Sequence, residues 1–145
     1  MKYYFAYGSN LNIDQMKHRC PTAQLVGKAE MDNTRLVFKG SKTGSYLTIE
    51  PCEGTKTPIG IWKITAADER ALDHYEGFPR FYRKESINLG KHTGIIYIMN
   101  AVGGYGLPTD YYMDVCKRGY EDFGFDTDVL YKAYFDTKEL MKNEG

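Results

Sequence analysis

The chain has no surplus of charge: 19 Lys and Arg balance 19 Asp and Glu, for a formal net charge of zero. It has no long basic run, so the electrostatic footprint of a nucleic-acid binder is missing. Long apolar runs are lacking too, and the longest fall far short of a bilayer span. The N-terminal Met1-Lys2-Tyr3-Tyr4-Phe5-Ala6 is apolar after one lysine. It reaches Gly8-Ser9-Asn10 too soon for a signal peptide, and it reads as a first strand. Cysteine is scarce and odd in number. Cys20, Cys52 and Cys116 stand at wide spacings, which predicts reduced thiols in a cytoplasmic protein rather than a disulfide framework. His18, His74 and His92 show no ligand spacing with them or with one another, so no metal site is expected.

At 145 residues the chain is expected to form one domain, 1–145, able to bury a core without metals or disulfides. What it has in abundance is tyrosine, 13 residues, each placing a hydroxyl at the end of an apolar ring. That composition suits a pocket lined with rings and hydroxyls, although tyrosines bridging core and solvent account for most of them.

No repeat, low-complexity stretch or linker divides the chain. After a strand over Lys2–Ala6, the Gly-Ser-Asn turn leads to a short helix over Asn12–His18, closed by Pro21. Four β-like segments follow, Gln24–Glu30, Thr34–Phe38, Tyr46–Ile49 and Ile59–Ile64, separated by Gly, Ser, Thr and Pro clusters. Thr65 and Asp68 have the spacing of a capping box. The helix they open presents Ala67, Ala71, Leu72 and Tyr75 on one face and stops at Gly77. Strands over Phe81–Leu89 and Gly94–Met99 precede a loop, Val102 to Gly106. Helical spacing then returns beyond Pro108-Thr109 and again from about Asp126. Strands early and helices late predict an α+β fold whose strands close their edges as a barrel or highly curled sheet.

Three segments carry possible chemistry. Tyr7-Gly8-Ser9-Asn10-Leu11 breaks a strand into a turn whose N–H groups can converge on a carboxylate or oxyanion, although taken alone it reads first as an ordinary turn. Glu76 stands at a helix C-terminus among aromatic neighbours. Both the macrodipole and desolvation would raise its pKa toward that of an acid/base group; the plainer alternative is a solvated glutamate at a helix end. Tyr105, in Gly103-Gly104-Tyr105-Gly106, either places a hydroxyl over a pocket or anchors its loop. A covalent mechanism has little support: Ser9 lacks an activating histidine in sequence, and no Gly-x-Ser-x-Gly elbow occurs.

Taken in order, these segments resemble the γ-glutamylcyclotransferase-like family over about residues 3 to 125. Phe5 to Leu11 is similar to its opening strand and loop, and Met16-Lys17-His18-Arg19-Cys20-Pro21 to the form common in bacterial members. Tyr75-Glu76-Gly77-Phe78-Pro79 with Tyr82 is similar to its glutamate segment, and Pro108-Thr109 with Tyr112 and Gly119 to its late helix. The resemblance implies a curled mixed β-barrel flanked by helices, with no cofactor and no metal. It implies release of 5-oxoproline from a γ-glutamyl peptide, amine or acyl conjugate by attack of the substrate's own α-amine. Glu76 would be the general base and acid, with Tyr7, Gly8, Ser9, Asn10, Leu11 and Tyr105 at the substrate. The expected partner is a small γ-glutamyl molecule, with no nucleic acid or membrane, and the protein a monomer or homodimer. Two alternatives stand beside this: a non-catalytic small-ligand module using the same pocket, and an amidohydrolase in which Glu76 activates water.

Overall fold

Aromatic residues give the first strand, β1 (Lys2–Ala6), its β character, and a single 3-10 turn over Ser9–Leu11 follows it. The computed structural model describes residues 1–40, 44–100 and 103–144; Val102 of the expected glycine-rich loop lies outside them. Helix α1 (Ile13–Arg19) starts at Asn12, whose side chain accepts from the Gln15 N–H. Helix α2 (Ala66–Glu76) opens on the expected capping box: Thr65 Oγ1 accepts from Asp68 N at 3.1 Å and Asp68 Oδ2 from Thr65 N at 3.0 Å. It ends at Gly77, whose φ of 65° is the left-handed conformation of a helix stop. Helices α3 (Asp110–Asp122) and α4 (Asp128–Glu144) complete the chain, and Thr109 caps the former.

The four expected central strands are two long ones, β2 (Gln24–Lys39) and β3 (Tyr46–Ile64). The polar residues that suggested turns interrupt the pairing without ending it: it runs from Gln24↔Lys63 to Lys39↔Tyr46 with irregularities between Leu25 and Gly27 and between Asp32 and Thr34. Side chains mend the broken ladder at the latter. Thr34 donates to Thr57 at 2.8 Å in the interior, Thr55 donates to the Thr34 carbonyl at 2.7 Å, and Asn33 accepts from Gly54 N at 3.1 Å. Strands β4 (Tyr82–Leu89) and β5 (His92–Met99) form a hairpin.

The sheet order is β2-β3-β1-β5-β4, with β1 and β5 parallel and every other pair antiparallel. The fold is therefore α+β around a curled mixed sheet, as expected, but the barrel is not closed. Strands β2 and β4 remain edges, separated by a cleft that Lys28, Glu30 and Asp32 line from one side and Lys91 and His92 from the other. Charged side chains along an edge oppose strand pairing. Phe5, Phe38, Leu47, Ile59, Ile64, Leu72, Ile96 and Leu130 are fully buried in the core. Helix α4 joins it through Leu130, Ala133 and Thr137, and the Thr137 hydroxyl accepts from Phe38 N at 3.0 Å. Among the described residues no helix is long and apolar enough to cross a membrane.

Candidate active site

The turn after β1 is gripped from several sides. Within it, Leu11 N donates to the Gly8 carbonyl and Asn12 N to the Ser9 carbonyl, both at 3.0 Å. From outside, Tyr120 donates its hydroxyl to the Tyr7 carbonyl at 3.1 Å and Trp62 Nε1 donates to the Asn10 carbonyl at 3.0 Å. Every carbonyl from residue 7 to 10 is thus occupied. A first helical turn leaves its leading N–H groups without an internal acceptor, here those of Gly8, Ser9 and Asn10. Close packing from α3 requires Gly119, where a Cβ would sit 2.6 Å from Asn12 N and 2.7 Å from the Leu11 carbonyl carbon. Leu11 is fully buried behind the loop, its N–H spent on the turn; it supports the loop rather than facing a ligand.

Glu76 is the last residue of α2, partly buried, and its carboxyl meets the loop: Asn10 Nδ2 approaches Oε1 at 3.4 Å. The same Asn10 amide donates to the Tyr4 hydroxyl at 2.9 Å. Burial pushes the Glu76 carboxyl up to about 7, and the Arg19 guanidinium opposes that rise. Loop and glutamate line one cavity of about 330 Å³, to which Tyr7, Gly8, Ser9 and Asn10 contribute from one side and Tyr75, Glu76 and Gly77 from the other. A cavity of this size holds a small-molecule substrate.

Several residues beyond those expected from sequence complete the site. Arg19, at the end of α1, donates to Asn10 Oδ1 and, at 3.4 Å, to Ser9 Oγ, while its guanidinium carbon lies 3.4 Å from the centre of the Tyr75 ring. The Tyr75 hydroxyl lies 3.3 Å from Ser9 Oγ. Tyr82, Tyr97 and Tyr112 also line the cavity. Arg19, Tyr82 and Tyr112 fall inside segments that carried the family resemblance. No local pattern marks them as site residues, because each meets the loop or cavity through contacts distant in sequence.

Tyr105, like Leu11 an expected site residue, is taken away from the cavity lining by the fold. Its hydroxyl donates to the Glu50 carboxylate at 3.0–3.1 Å, and its backbone bridges to Lys39. Glu50 is also paired with Arg35 at 2.6 Å. A charged acceptor outside the cavity therefore claims this hydroxyl, and Tyr105 anchors its loop to the β2–β3 ribbon. Among the described residues no three His, Cys, Asp or Glu side chains are grouped to hold a metal ion.

The family model for gamma-glutamyl cyclotransferase, AIG2-like proteins matches residues 4–114, and the chain belongs to that family. Membership supports a cyclotransferase-type function in general. A solved structure described as a gamma-glutamyl cyclotransferase shares 23% identity at a TM-score of 0.80, over 91% of this chain and 85% of that one. The human protein loc79017 shares 25% identity at a TM-score of 0.81 over the same proportions. YkqA from Bacillus subtilis, 20% identical, gives 0.74 over 96% of this chain and 55% of that one. No curated protein matches the chain significantly.

Proposed function

We propose that the protein releases 5-oxoproline from a γ-glutamyl conjugate, with Glu76 as general base and then general acid. The observation that carries this reading is the placement of a carboxyl with a pKa of about 7 in the same cavity as the Gly8–Asn10 turn, with Asn10 reaching both. A group with that pKa exists in both protonation states near neutrality, as a proton carrier must.

Glu76 as carboxylate takes a proton from the substrate's α-ammonium. The freed amine attacks the γ-carbonyl carbon of the same molecule, a C–N bond forms, and negative charge collects on the carbonyl oxygen. The N–H groups of Gly8, Ser9 and Asn10 are the donors suited to that oxygen, each such donor being worth about 3–4 kcal/mol. Glu76 returns its proton to the departing nitrogen as the original amide bond breaks, the surplus proton on the ring nitrogen passes through Glu76 to the released amine, and an ammonium and 5-oxoproline leave. Nucleophile and electrophile belong to one molecule, so orientation supplies much of the rate, about 7–11 kcal/mol in well-aligned intramolecular reactions. Tyr7 shapes the cavity rather than donating into it, because its hydroxyl is bonded to the Tyr97 carbonyl at 2.6 Å.

Glu76→Gln keeps the shape and removes the proton carrier. It is expected to lower 5-oxoproline release by about 10²–10⁴-fold with the thermal transition still cooperative. Mass spectrometry of the products checks the reaction. Undiminished 5-oxoproline from the variant refutes the role of Glu76, and free glutamate in place of 5-oxoproline would indicate hydrolysis.

A further inference from the structure

The cavity lining has two chemically different parts. Ser9, Asn10 and Glu76 make one. Tyr46, Leu47, Phe81, Tyr82 and Tyr112 make the other. The hydroxyls of Tyr82 and Tyr112 are already engaged. Tyr82 donates to the Leu47 carbonyl at 2.7 Å, and Tyr112 accepts from Leu47 N at 3.1 Å. Both rings are therefore moored by their polar tips to one stretch of β3 backbone and present carbon to the cavity. Tyr46 packs edge-on against Tyr112 at 5.0 Å and against Phe81 at 6.1 Å between ring centres, and Phe81 against Tyr82 at 5.2 Å. Tyr46 is 43% exposed, which puts this ring cluster at the mouth.

The cluster is also adjacent to the polar part. A Cβ on Gly8 would lie 3.3 Å from the Tyr112 hydroxyl, and one on Gly77 would lie 3.1 Å from Phe81 Cβ. A γ-glutamyl head held at Gly8–Asn10 and Glu76 would direct its amide substituent toward these rings. Apart from tyrosines, the ionisable groups among the described lining residues are Glu76 and His74. Among the described lining residues no lysine or arginine is present, so a substituent carrying a carboxylate would meet apolar rings and the negative Glu76 there. Desolvating such a charge is costly, whereas an uncharged apolar group gains from the same surface.

Resting on the cyclotransferase reading above, we infer that the ring cluster of Tyr46, Phe81, Tyr82 and Tyr112 is a subsite for the leaving group. It selects γ-glutamyl conjugates of uncharged, apolar amines, aromatic ones above all, over conjugates of amino acids.

The test compares 5-oxoproline release from γ-L-glutamylbenzylamide, γ-L-glutamylmethylamide and γ-L-glutamylglycine. The benzylamide is expected to exceed the methylamide in kcat/KM by about 10- to 100-fold, the range an apolar pocket delivers. The glycine conjugate is expected to be the poorest of the three. Tyr46→Ala and Phe81→Ala should each shrink the benzyl-to-methyl ratio several-fold, a quantity insensitive to the amount of folded enzyme. Equal values for the three conjugates, or a preference for the glycine conjugate, overturn the subsite while leaving the cyclotransferase reading intact. If no conjugate yields 5-oxoproline, it is the cyclotransferase reading that fails. Calorimetric binding of the same three compounds then decides the subsite by itself: tighter benzylamide binding supports it, and equal affinities refute it.

Discussion

Arg19 does not line the cavity, yet its guanidinium holds Ser9 and Asn10, which do, and it stacks on the Tyr75 ring. As a nearby cation it also favours the ionised form of Glu76 against the effect of burial. These two actions can be separated. With Glu76 as base, kcat/KM of the native enzyme should rise with pH through about 7, as the carboxylate forms. Arg19→Gln removes the cation, so that limb should move to higher pH and KM should increase as Asn10 loses its tether. Arg19→Lys restores the charge without the planar stack, and should return the limb toward its native position while KM stays raised. A pH profile unchanged in Arg19→Gln, with only a lower melting temperature, would reduce Arg19 to a structural tie. At this scale the sequence exposed Glu76 and the Gly8–Asn10 turn through their neighbours in the chain, but gave no sign that Arg19 reaches either.

Among the secondary elements, α3 supports the Ser9–Leu11 turn from behind, and the contact is backbone against backbone at Gly119. A methyl group there would lie 2.6 Å from Asn12 N, so helix or loop must shift. Gly119→Ala is expected to cost about 1–3 kcal/mol in urea denaturation, the usual range for overpacking, and to lower kcat through displacement of Ser9 and Asn10. Lost stability with native kcat would mean that the loop keeps its geometry without α3. The elements themselves were legible where their signals are local. Asn12, the Thr65–Asp68 box, Gly77 and Thr109 mark helix ends through contacts a few residues long. The centre of the sheet was not. The polar stretches around Asn33 and Glu53 read as turns, but cross-strand partners such as Thr57 and Thr34 absorb their polar groups and let β2 and β3 continue.

Across the whole molecule, the desolvated Glu76 links stability to pH. Its carboxyl ordinarily titrates near 4.5 and in the fold near 7, so between those values the folded state holds the proton more tightly. Stability attributable to this group is therefore present below about 4.5, falls as pH rises, and is lost above about 7. Glu76→Gln removes the penalty. The variant should be more stable than the native protein at pH 8, by at most about 3 kcal/mol, and the advantage should vanish toward pH 4.5. Urea titrations at several pH values check this, and equal stability at pH 8 would show that the carboxylate is not desolvated. By itself the sequence determined the α+β character, the caps, the first strand with its turn, and the ordered segments that place the chain in its family. Those features depend on periodicity and on hydrogen bonds between close neighbours. Tertiary structure alone decided that Asn10 meets Glu76 across 66 residues, that Arg19 holds Asn10, that Tyr105 turns to Glu50, and that the curled sheet stays open between β2 and β4. Each of those outcomes follows from strand register and helix packing, which are set by burial summed over the entire chain rather than by any local pattern.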